Sequence, residues 1–247
     1  MRRFVVVLAL VGFTAGAALP LDAQQGTLEF AYFVTVQDEN VPDLEEGIRE
    51  HVQWHRDQGD TWTASIWQAI TGTQEYVWIT QGHTWGDLDN PGVDPTEDGA
   101  DWANTGARYT ESLTTSIWEV LADVSILPPM GTQPAVAQVF EFSLNPGGEE
   151  ALAHVLAKYH EAASAVAPGN HFGWNAVLAG PEGTTHFVVV PGGSFADFGV
   201  ATPEPPEVLT RHYGQTEARA LFDMFNEAMT FRQARVWAYR ADLSYTP

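Results

Sequence analysis

The chain has 247 residues, 45% hydrophobic and 12% aromatic, which supplies apolar material for a packed core and argues against disorder. Eleven Lys and Arg face 32 Asp and Glu, a net charge of −21; such a surface repels phosphate backbones and anionic lipid, so no nucleic-acid partner is expected. The chain has no Cys, which excludes disulfides, thiol catalysis and Cys-ligated metals.

Arg2 and Arg3 precede an apolar run from Phe4 to Ala18 that is short for a bilayer span, and small residues and Pro20 follow. Residues 1–23 therefore read as a signal peptide, with cleavage after Ala23 or Ala17. The mature protein is expected in the periplasm or secreted, with no membrane segment once the signal is removed.

The remainder divides near Pro128–Pro134 into residues 24–130 and 131–247, and each part repeats one order of elements. An aromatic and β-branched run opens each, Phe30–Val36 and Gln138–Leu144, which suits a half-buried strand. A helix follows, with an apolar stripe on Leu44, Ile48, Val52 and His55 in the first part and Leu152, Val155 or Leu156, and Tyr159 in the second. Both stripes end on an aromatic–His pair, Trp54-His55 and Tyr159-His160. A second strand, Ser65–Ile70 or Phe172–Leu178, turns at Gly72 or Gly180–Gly183 into a third, Glu75–Thr80 or Thr185–Val190, as a hairpin. Acidic Pro/Gly stretches, Asp89–Asp101 and Gly199–Glu207, lead to second helices near Trp102–Thr115 and Thr216–Thr230. Last strands, Ile117–Val120 and Val236–Tyr239, close each part.

The order β-α-β-β-α-β is ferredoxin-like, an α+β arrangement with both helices on one face of an antiparallel sheet. Two such sheets can cover each other. In element order and repeat pattern the chain resembles the dimeric α/β-barrel superfamily in a fused, two-repeat form, in which two tandem ferredoxin-like repeats pack as a pseudo-dimeric barrel. The resemblance implies a monomer with an internal pseudo-twofold, or a dimer. It spans haem-degrading and antibiotic-synthesis monooxygenases, chlorite dismutase-like haem proteins and small proteins without assigned function, so it constrains activity weakly.

Trp67, Trp174, Trp118 and Trp237 occupy matching strand positions. Pointing inward, they would line a cavity for a flat apolar ligand; pointing outward, they are helix-packing core. His55 and His160 match between the parts, whereas His83 and His186 lack repeat partners. All eight are taken as candidate ligand-binding residues. His51 and His55, four apart, share a helix face as metal ligation needs, but no Glu follows His51 and no third ligand is apparent, so no metal site is assigned. Asp87, Asp89 and Asp98 with Gly92 only partly match a calcium loop, because Pro91 occupies a ligand position. No nucleophile elbow, phosphate loop or dinucleotide fingerprint occurs, which leaves catalytic residues and cofactor unassigned.

Three functions are compatible with these features: an exported protein binding a small apolar or aromatic ligand between its sheets, a haem-linked or cofactor-independent monooxygenase-like enzyme, or a structural or stress-related periplasmic protein without ligand.

Overall fold

A computed structural model describes residues 27–199 and 203–247; the proposed signal peptide lies outside them. Eight strands and five α-helices follow the chain as β1 (Leu28–Thr35), α1 (Val41–Gln58), β2 (Ser65–Ala69), β3 (Glu75–His83), α2 (Pro95–Thr105), β4 (Ser112–Val120), β5 (Val136–Leu144), α3 (Glu149–Val166), β6 (Gly173–Ala179), β7 (His186–Gly192), α4 (Pro205–Tyr213), α5 (Gln215–Ala228) and β8 (Met229–Tyr239). No described helix is long and apolar enough to cross a membrane.

The strands form one closed antiparallel barrel in the order β1-β3-β2-β8-β5-β7-β6-β4, with β4 returning to β1. Closure leaves no free sheet edge. Residues 28–120 place their strands as fourth, first, third, second, and residues 136–239 do the same. The parts meet at two seams, Trp67 opposite Tyr239 on β2–β8 and Trp118 opposite Val177 on β4–β6.

Strand side chains alternate between the barrel interior and the helices. Outside, Leu44, Ile48 and Val52 of α1 bury against Ile66, Tyr76 and Val34. On the other side, Leu152, Val155 and Leu156 of α3 pack with Leu209 of α4, Leu221 of α5 and Trp174. The interior has its own cluster around Ala31, Val77, Trp118, Phe187 and Trp237.

The second helices depart from the sequence expectation. α2 begins at Pro95, seven residues before Trp102, because the Asp94 carboxylate accepts from the Thr96 and Glu97 N–H groups and Pro95 suits the first turn. It ends at Thr105, and the β-branched run after it belongs to β4. In the second part the helix is split at Gly214, whose φ of 82° breaks the hydrogen-bond ladder between α4 and α5. α3 also continues to Val166, so His160 lies within the helix rather than at its end.

Candidate functional site

The alternation places Glu29 and Phe33 of β1, Trp67 of β2, Glu75, Val77 and Ile79 of β3, Trp118 of β4, Val139 and Glu141 of β5, Val177 of β6, Phe187 and Val189 of β7, and Arg235 and Trp237 of β8 around a cavity of about 560 Å³. The aromatic walls support one another. Trp118 stands edge-on to Phe187 at 4.9 Å between centroids and tilted to Phe33 at 6.2 Å. Trp67 lies against Tyr239 at 5.3 Å, and the Arg235 guanidinium sits 4.7 Å over Trp237. Three of the four matched Trp thus face the cavity. Trp174 faces the helices instead, packing on Phe142 at 5.8 Å and Phe225 at 6.2 Å.

Charge sits at the two ends of this apolar space. At one end Arg235 bridges Glu75 and Glu141, with its Nη2 2.9 Å from Glu141 Oε1. Burial pushes the Glu75 carboxyl up, against the opposing pull of Arg235. At the other end Glu29 accepts from Trp118 Nε1 at 2.5 Å and from Gln81 Nε2 at 2.9 Å. Its carboxyl is also pushed up by burial, and the two hydrogen bonds only partly offset this. The segment Leu127–Pro134, which joins the two parts, runs beside the Glu29 end and contributes to the lining.

The four His candidates stand outside the barrel. His83 stacks on Phe30 at 5.3 Å and lies tilted against Trp62 at 3.9 Å, and burial holds its pKa down. His186 meets Thr185 Oγ1 at 3.0 Å, and burial lowers its pKa as well. His160 is half-buried on α3, with an Nδ1 that has no hydrogen-bond partner.

His55 belongs to a second group, between α1, α2 and the outer face of β3. Its Nδ1 lies 2.7 Å from Asp60 Oδ2, and His51 Nδ1 lies 2.7 Å from Asp101 Oδ2. The two Nε2 atoms turn toward each other at 3.3 Å and stand 3.2 Å (His51) and 3.3 Å (His55) from Asp98 Oδ1. Trp54, Trp78 and Trp102 surround the rings at 5.3–5.9 Å from His51. Burial disfavours the charged form of His55, but the Asp98 and Asp60 carboxylates outweigh it and its pKa is raised. Burial likewise opposes the charge on Asp98, and the two His rings override it, so that carboxyl is held well below the usual range. Asp98 was not apparent as a partner from the sequence, because it lies in the acidic stretch after β3. The signal for it was Asp94-Pro95, a helix start that puts Asp98 and Asp101 one turn apart on a single face.

No protein-family model and no curated protein sequence matches the chain. Solved structures match in fold. A candidate monooxygenase from Lactobacillus acidophilus aligns with a TM-score of 0.55 at 13% identity, over 90% of this chain and 97% of that one. An anthrone oxidase-like protein aligns at 0.52 and 16%, over 86% and 91%. A mutant chlorite dismutase from Candidatus Nitrospira defluvii aligns at 0.51 and 10%, over 86% and 91%. The chain therefore has the dimeric α/β-barrel fold that its repeat pattern led one to expect.

Proposed function

We propose that the protein binds a flat, largely apolar small molecule inside its barrel. The observation that carries this reading is the aromatic-walled cavity of about 560 Å³, within the range of about 300–1,000 Å³ common for small-ligand sites. Trp67, Trp118 and Trp237 offer flat apolar surfaces. Arg235 with Glu75 and Glu141 at one end, and Glu29 at the other, supply the few polar groups that would orient a ligand bearing hydroxyl or carbonyl substituents. The test is quenching of Trp fluorescence by a hydroxyanthraquinone, compared between the wild type and Val139→Phe, which fills the interior. Saturable 1:1 quenching that weakens at least about tenfold in the filled variant supports the proposal, being a loss of about 1.4 kcal/mol. Absence of quenching, or equal quenching by both proteins, refutes it.

The strand order common to residues 28–120 and 136–239 supports reading the chain as two diverged ferredoxin-like copies. Since one chain closes the barrel, the expected state is a monomer, checked by light scattering. The basic and apolar residues 2–18 support export, which N-terminal sequencing of the mature protein tests.

A second reading, a cofactor-independent oxygenase, has one observation in its favour: Glu29 is a carboxyl with a raised pKa facing an apolar cavity, as a general base acting near neutral pH requires. Oxygen uptake with anthrone that is lost in Glu29→Gln would support it, and no uptake by the wild type would discard it. Haem does not fit this interior. Among the described residues that line the cavity there is no His or Tyr, the chain has no Cys, and Met130 stands 89% exposed on the segment joining the two parts, so no strong axial ligand is aimed into the space. His55, His160 and His186 are all on the far side of the sheet.

A further inference from the structure

We propose that His51, His55 and Asp98 form a binding site for one divalent transition-metal ion of the zinc type, on the outer side of the barrel and separate from the cavity. The first argument is distance. A tetrahedral ion with bonds of about 2.0 Å holds its donors about 3.3 Å apart. The three donor atoms here make a nearly equilateral triangle with sides of 3.2, 3.3 and 3.3 Å. An ion above that triangle would reach all three without moving the chain.

The second argument is the role left to Asp98. Its Oδ1 is buried and has no hydrogen-bond partner, although two imidazole nitrogens stand close to it. A buried carboxylate oxygen left without a partner is costly, and a cation held by all three groups would satisfy it. The third argument is what holds the rings. Asp101 and Asp60 each contact an Nδ1 at 2.7 Å, so in the neutral rings those nitrogens donate and both Nε2 lone pairs are free to coordinate. Asp60 is itself fixed, because its Oδ1 accepts from the Trp62 N–H at 2.9 Å and its carbonyl accepts from the Tyr245 hydroxyl at 2.6 Å. The surrounding Trp54, Trp78 and Trp102 supply an apolar shell.

Two imidazoles and one carboxylate suit a borderline cation better than Mg²⁺ or Ca²⁺, which favour oxygen donors. Three protein donors leave the fourth position to a water or other small ligand. Asp98 is 38% exposed, which opens that position toward solvent. The second half of the chain has Leu156 where the first has His51, so the site is confined to the first half.

The test uses full chain stripped with a chelator, titrated with Zn²⁺ against a competing fluorescent chelator, and separately with Co²⁺ to read visible absorption. The expected result is one Zn²⁺ per chain and the intense visible bands of low-coordinate Co²⁺. Asp98→Asn and His55→Gln should each weaken binding by about 100-fold, and Asp101→Asn by about 10–100-fold. Glu97→Gln, an exposed acid on the same helix, should leave binding unchanged. Circular dichroism checks each fold, and Asp98→Asn keeps the test decisive if a buried His variant fails to fold. Absence of stoichiometric binding, or binding equally tight in Asp98→Asn and the wild type, overturns the proposal.

Discussion

Gly47 joins the helical packing to the His pair, and adding one methyl group there tests how they are coupled. It lies on the face of α1 that meets the end of α2. A Cβ at this position would sit 2.5 Å from the Thr105 carbonyl oxygen and 2.8 Å from its carbon, where ordinary contact begins near 3.4 Å. The obstacle is backbone, so Gly47→Ala must move α2 away from α1 by about 0.9 Å. Overpacking of this kind costs about 1–3 kcal/mol. The better helix propensity of Ala returns about 1 kcal/mol, leaving a net loss of up to about 2 kcal/mol. For a chain of this size that lowers Tm by up to about 8 °C. The same shift carries Asp98 and Asp101 away from His51 and His55. Metal–ligand distances tolerate only about 0.2 Å, so zinc affinity should fall by a factor on the order of 100 even though no proposed ligand has been replaced. Differential scanning calorimetry and zinc competition on the same preparation give both numbers. Wild-type zinc affinity together with a Tm within 1 °C would show that α2 does not hold the donor set in place.

Leu44→Ala removes a fully buried side chain and should cost about 2–5 kcal/mol, measurable by urea unfolding. Arg240 binds Glu45 through both carboxylate oxygens and Asp242 at 2.7 Å; its guanidinium holds the Asp242 carboxyl down at about 2 and lowers Glu45 as well. Groups with depressed values stabilise the fold above their unfolded values of 3.8 and 4.5, and that stability fades as pH falls toward 2. Arg240→Ala should therefore flatten the loss of Tm between about pH 4.5 and 2, and an unchanged acid limb would contradict the assignment. Glu29 has the opposite sign, because its raised carboxyl costs stability once pH rises above the unfolded value of 4.5. Glu29→Gln should raise Tm at pH 8 more than at pH 4; equal shifts at both would argue against a desolvated charge.

The fold was readable in the sequence wherever periodicity and punctuation agreed. The α1 stripe on Leu44, Ile48 and Val52, the hairpin turn at Gly72 and the first three strands of each part appear where expected, whereas β4 and β8 begin at Ser112 and Met229, ahead of the expected Ile117 and Val236 and partly in stretches assigned to the second helices. The direction of the Trp side chains was not readable. Strands of a closed barrel under helices are buried on both faces, which erases the alternation that would reveal the inward one. Aligning Trp67 with Trp174 by residue type placed them as equivalents, yet Gly173 is the inward residue beside Trp174, one position away. A one-residue offset is enough to reverse a face. The His pair was visible at i and i+4, but its third member lies 43 positions beyond His55 on another helix, and local spacing carries no signal for such a contact. The equivalence of His55 and His160 also did not extend to their surroundings, since His55 Nδ1 meets Asp60 whereas His160 Nδ1 has no hydrogen-bond partner.

A structure of the protein with a bound hydroxyanthraquinone would show directly whether the barrel interior is a ligand site. The ring system should lie between Trp118, Trp67 and Trp237, with its polar substituents toward Arg235 or Glu29. A ligand found only on the outer helical layer, with an unchanged and empty interior, would contradict it.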